Sequence, residues 1–151
     1  MPNRVYRGPT DRQPKTISDR TVNGALLPAT AVTVSATQFT QATSASGGRL
    51  ALLADRDFYG TGFNTATAPL LTAYTSGETG VAYELEVGQA YLWALAAGTY
   101  TNGQELTVAA GGRLAAASAG NIVVAYFDGT TGARLAGDLG DVVIAPFYTK
   151  A

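Results

Sequence analysis

The sequence predicts an all-β fold, a small antiparallel β-barrel or sandwich preceded by an extended N-terminal arm. Three observations predict it. Across residues 81–87, Val81, Tyr83, Leu85 and Val87 alternate with Ala82, Glu84 and Glu86, the period of two expected of a strand with one buried and one wet face. Residues 91–95 and 121–127 are apolar, aromatic and β-branched runs too short for an ordinary buried helix. Between such runs stand the turn signals Asn102-Gly103, Gly111-Gly112 and Asp128-Gly129, the first of them suited to a type I′ hairpin with positive φ at both central positions.

Taken in order, residues 1–24 differ from the remainder. Pro2, Pro9 and Pro14 exclude a helix, and only Val5, Tyr6, Ile17 and Val22 are apolar enough for a core, so this segment reads as an extended arm, either a frayed terminus or a segment ordered by a partner, with residues 25–151 as a single barrel-like domain. Arg4, Tyr6, Arg7, Arg12 and Lys15 are its candidate partner-binding residues, because tyrosine and arginine are enriched at interfaces. Residues 31–37 alternate as a strand with a hydroxylated face, 38–46 read as a polar loop, and Gly47-Gly48 turns into the apolar run 49–54. Residues 55–67 read as a long loop carrying Phe58, Tyr59 and Phe63, a candidate subunit interface, since loops of that length are usually functional or interfacial. A short strand at 70–74 precedes the central module. Residues 105–108, 113–115, 133–136 and 142–148 supply further strands, and Pro146 places the last at a sheet edge or at its own end. Gly47-Gly48-Arg49-Leu50-Ala51, Gly111-Gly112-Arg113-Leu114-Ala115 and Gly132-Ala133-Arg134-Leu135-Ala136 share an order of turn, arginine and leucine, without the equal spacing of a solenoid or propeller.

Composition bounds the function. A chain of 151 residues can bury roughly 70% of its unfolded surface, so it needs neither disulfides nor metal to fold. With 46% apolar and 14% charged residues its surface favours association. There is no cysteine and no histidine, which removes thiol chemistry, the commonest general base and the commonest transition-metal ligand. Net charge is −1, so no overall field attracts nucleic acid, although Arg4, Arg7, Arg12, Lys15 and Arg20 outweigh Asp11 and Asp19 near the start. No run approaches the ~20 apolar residues of a membrane span, and no signal peptide is legible, so the chain reads as made in the cytoplasm.

The residues offer little chemistry. Asp55 with Asp57, and Asp138 with Asp141, do not fit a calcium loop and read as turn residues. Glu84 and Glu86 share the expected wet face and read as an ion-pair rim rather than an acid–base pair. Phosphate loops and nucleophile elbows are missing from the sequence. Tyr91, Trp93 and Tyr100 read as core. No catalytic, cofactor or metal residue is assigned, and the chain is not expected to be an enzyme.

The Pro/Arg-rich arm, the Thr/Ala/Gly-rich body and the stretch from Ala94 to Val108, Ala-Leu-Ala-Ala-Gly-Thr-Tyr-Thr-Asn-Gly-Gln-Glu-Leu-Thr-Val, resemble small β-barrel head decoration, or cement, proteins of tailed bacteriophages. The likeness covers mainly residues 80–127. It implies a structural virion protein on the outside of the expanded capsid, bound to the major capsid protein as a homotrimer, with no nucleic-acid or membrane partner. The alternative is a phage tail or baseplate component, or a carbohydrate-binding β module with Tyr59, Phe63 and Tyr100 as its stacking surface.

Overall fold

The computed structural model describes residues 4–46, 48–55 and 69–151. The first five strands, β1 (Thr16–Asn23), β2 (Ala31–Val34), β3 (Gln38–Gln41), β4 (Leu50–Leu53) and β5 (Thr79–Glu84), close into a barrel in the order β1-β3-β2-β4-β5. β1 runs parallel to β3 and antiparallel to β5, and the other neighbours are antiparallel. Its inward side chains form their own cluster, with Val22, Val32, Phe39, Ala51, Leu53 and Ala82 among them. The interior is narrow: a Cβ on Gly80 would lie 2.6 Å from Val22 Cγ2.

The remaining strands are β6 (Ala90–Ala94), β7 (Gly98–Tyr100), β8 (Glu105–Val108), β9 (Leu114–Ala116), β10 (Ile122–Phe127), β11 (Gly132–Arg134) and β12 (Leu139–Thr149). Five of them make an open sheet in the order β6-β12-β10-β8-β9, and β7 pairs with β11. The main core lies between this sheet and the barrel's outer face: Ala31, Leu52 and Tyr83 come from the barrel, and Tyr91, Trp93, Leu106, Val124, Val142 and Ile144 from the sheet. Strand period explains the division, because neighbouring residues point to opposite faces: Leu52 joins the main core while Ala51 and Leu53 fill the barrel.

One glycine joins the two layers. Gly112 closes the 3₁₀ turn Ala110–Gly112 with φ +66°, and a Cβ there would lie 2.5 Å from the carbonyl oxygen of Ala31 on β2. Its own carbonyl accepts the indole N–H of the fully buried Trp93 at 2.9 Å. Gly112→Ala is expected to cost about 3 kcal/mol through backbone strain together with overpacking. Gly103 also has positive φ, but nothing lies within 4 Å of the Cβ position, so Gly103→Ala should cost only the strain. Denaturant melts of the two variants check this, and equal losses would show that the contact with Ala31 is not close.

Several expectations are corrected. Residues 16–23 are not arm but the strand that closes the barrel. The apolar residues Ile17 and Val22 stand five apart because the register with β5 shifts between Ile17 and Arg20, which hides the period of two. Residues 38–41 are strand rather than loop, with Phe39 inside the barrel between exposed Gln38 and Thr40. Residues 69–71 form a 3₁₀ turn in place of the strand expected at 70–74. On β5, Ala82 is not wet but buried, since a closed barrel covers the face that an open sheet would leave to solvent, and Val87 is exposed beyond the strand end.

Asn102-Gly103 does turn the chain, with Gln104 N–H donating to Thr101 O at 3.0 Å, yet only Gly103 has positive φ, so the turn is not type I′. It makes no hairpin, because β7 pairs with β11 while β8 pairs with β10 and β9. Finally, β12 is a central strand, not an edge. Its pairing with β6 ends at Val143, and Pro146 sits in a bulge beyond it where no β6 acceptor awaits an N–H.

Candidate interaction surface

The N-terminal residues divide into two groups. Residues 5–7 lie along the free edge of β6: Leu92 N–H donates to Val5 O at 2.7 Å and Arg7 N–H to Ala90 O at 2.9 Å. Val5 is fully buried, and its N–H donates to Asp55 Oδ1. Tyr6 is buried too, its ring packed against Tyr83 and Tyr91 at centroid separations of 6.1 and 5.7 Å, and its hydroxyl lies 2.9 Å from Gln89 Oε1. Burial pushes the hydroxyl pKa values of Tyr91 and Tyr83 upward, with Asp55 adding to the shift at Tyr83. Arg7 pairs with Asp141 at 3.0 Å. Tyr6 therefore serves the chain's own core, which corrects its expected role in partner binding, whereas Arg7 stays exposed beside its ion pair. Arg4, Arg12 and Lys15 are exposed.

Asp57, Phe58, Tyr59 and Phe63 lie outside the described residues. Tyr100 is no stacking surface: it is buried beside Phe127, its hydroxyl lies 2.8 Å from Ala96 O and 3.1 Å from Leu114 O, and desolvation raises its pKa. Glu84 pairs with Arg49 of its own chain, and Asp138 accepts from Leu135 N–H within a turn. Among the described residues no group of acidic side chains is arranged to hold a metal ion.

What the sequence did not reveal is a cluster of exposed leucines. A groove of about 140 Å³ is lined by Ala25, Leu27, Pro28, Leu70, Leu71 and Leu139, with Arg113 beside them. Leu71 is 71% exposed and Leu27 42%. Leu135, at 76%, stands two residues before Gly137, which also lines the groove. Leu135 follows a glycine turn and an arginine as the buried Leu114 does, but β11 belongs to a two-stranded sheet with no layer over that position. Arg113 has no ion-pair partner among the described residues.

On the outer face of the larger sheet, Tyr148 Oη donates to Glu105 Oε2 at 2.6 Å, and Lys150 Nζ lies 3.2 Å from Glu105 Oε1. The Tyr148 hydroxyl and then Lys150 hold the Glu105 carboxyl below its usual range, and Glu105 in turn pushes the Tyr148 hydroxyl up. A carboxyl depressed on folding contributes stability above its unfolded value of 4.5, lost as pH falls through the folded value; a phenol raised on folding contributes below 10.0, lost as pH rises. The stability difference between the native chain and Tyr148→Phe is thus expected to be largest between those limits and to shrink outside them. Chemical melts across pH check it, and a pH-independent difference would mean that the hydrogen bond does not form.

No family model matches the chain, and no curated protein matches its sequence.

Proposed function

We propose that this chain is a structural virion protein that binds the exterior of a tailed-bacteriophage capsid through the major capsid protein and stabilises the expanded head, acting as a homotrimer without catalysis, cofactor, nucleic acid or membrane. It is made in the host cytoplasm and ends on the capsid surface. The reading rests on the resemblance carried by residues 94–108. The structural observation that supports it best is the combination of a closed barrel, a β6 edge covered by residues 5–7, and Leu27 and Leu71 exposed in one groove, with Leu135 exposed two residues before Gly137 of its wall. A rigid, lightly charged β unit that keeps apolar side chains in water is suited to protein contact. Arg4, Arg12 and Lys15 would steer the approach to an acidic shell, since exposed ion pairs add little affinity but raise association rates.

The test is cosedimentation of the purified chain with expanded and unexpanded shells of the phage that encodes it. Saturable binding to expanded shells at near-stoichiometric ratio to the shell protein, with a higher shell rupture temperature, is the expected result. Failure to bind either form overturns the reading.

A further inference from the structure

We infer that the groove lined by Leu27 and Leu71 receives the Leu135–Asp138 turn of a second copy of this chain, with Leu135 entering the groove and Asp138 facing Arg113. This deepens the self-association in the function proposed above by naming its surface, and rests on that part of the reading alone.

Three observations carry it. The first is apolar exposure. Leu71, Leu135 and Leu27 are three of the large hydrophobic residues that the fold leaves in water; Leu71 and Leu27 line one groove, and Leu135 stands two residues before Gly137 of its wall. Scattered exposed leucines are ordinary, whereas a cluster at a concavity marks a contact surface. The second is the form of the turn. Asp138 Oδ2 accepts the Leu135 N–H at 2.8 Å, and Asp138 N–H returns a bond to Leu135 O at 3.1 Å, so Leu135 stands on a closed, preorganised turn and loses little freedom on docking. The third is charge. Arg113 lines the groove without an ion-pair partner among the described residues, and Asp138 carries a carboxylate three residues from the exposed leucine.

Donor and acceptor also sit next to each other on one molecule, because Gly137 and Leu139, which flank Asp138, belong to the groove wall. An exchange in which each copy's turn enters its neighbour's groove leaves no open end when the rotation between copies closes. Leucine burial supplies the affinity. The Arg113–Asp138 pair fixes which way the turn enters.

Sedimentation velocity of the free chain, over concentrations from micromolar to submillimolar, tests this without any shell. The native chain is expected to self-associate. Leu71→Glu and Leu135→Glu alter exposed side chains, so unfolding midpoints should hold while the association constant drops about tenfold or more, by burial of a charge against leucine. Asp138→Asn keeps an oxygen for the Leu135 N–H but removes the charge. It and Arg113→Gln should each weaken association by about threefold, and the double variant by no more than either, since both delete one pair. A monomeric native chain at the highest concentration overturns the inference, as does association that the leucine variants leave intact. If those variants still associate but no longer bind expanded shells, the groove belongs to the shell protein, the second-copy assignment fails and the decoration reading survives.

Discussion

Deleting residues 1–20 is expected to abolish the cooperative fold. The segment has the look of a tether, with three prolines and scattered arginines, and a tether is removed without harm. In the structure it contributes Thr16, Ile17 and Arg20 to the pairing with β5, opposite Tyr83, Ala82 and Gly80. Thr21–Asn23 would stay paired with β3 but keep only Thr21 opposite β5, so the barrel would open along the rest of the β1–β5 seam and admit water to Ala82 and Phe39. The deletion also strips Val5 and Tyr6 from the main core and uncovers the backbone edge of β6. Burying a side chain of this size contributes about 1.5–3 kcal/mol. Three of them are lost, Val5, Tyr6 and Ile17, and a whole domain is stable by only about 5–15 kcal/mol. Circular dichroism during a thermal ramp should show no cooperative transition for the truncated chain. A midpoint equal to that of the full chain would mean that the barrel closes without β1.

Trp93→Ala is expected to cost about 3–5 kcal/mol by the cavity alone. Trp93 is fully buried on β6, between the sheet and the barrel, and its indole N–H is the donor to Gly112 O. Alanine would empty the largest side-chain volume of the core and also leave that carbonyl buried without its partner, a further cost of about 1–3 kcal/mol. Trp93→Phe keeps most of the ring and loses the hydrogen bond, so it should fall between the native chain and alanine. The native protein's fluorescence, from its single tryptophan, should be blue-shifted and move red on unfolding. Emission already at the limit of exposed tryptophan in the native state would count against this packing.

The sequence alone determined the class and most of the strands. Residues 50–53, 90–94, 105–108 and 122–127 are strands where apolar and β-branched runs are bounded by glycine turns, and Trp93 is core because it is the largest side chain in the most apolar run. These are local signals, written in neighbouring residues, and a strand's period can be read without knowing its partner. The Gly111-Gly112 turn is legible for the same reason, since positive φ at both positions favours glycine whatever lies around it.

What lies on each face, and which segments belong to the fold, is set by long-range packing. Ala82 and Glu84 share one side of β5 by period, yet Ala82 is enclosed and Glu84 is at the rim, because barrel closure depends on β1 arriving from sixty residues earlier in the chain. Phe39 is a lone apolar residue among glutamine and threonine, so its strand carries no periodic signal and exists through its pairing with β1 and β2. Tyr6 looked like an interface residue because interfaces and cores take the same side chain; the cavity left by Tyr83 and Tyr91 selects between them. Leu135 and Leu114 follow the same turn-Arg pattern, and one is exposed while the other is buried only because a second layer covers β9 and none covers the end of β11. Burial is a property of what packs against a residue from far along the chain, and that is set by sheet order and closure, which no run of neighbouring residues encodes.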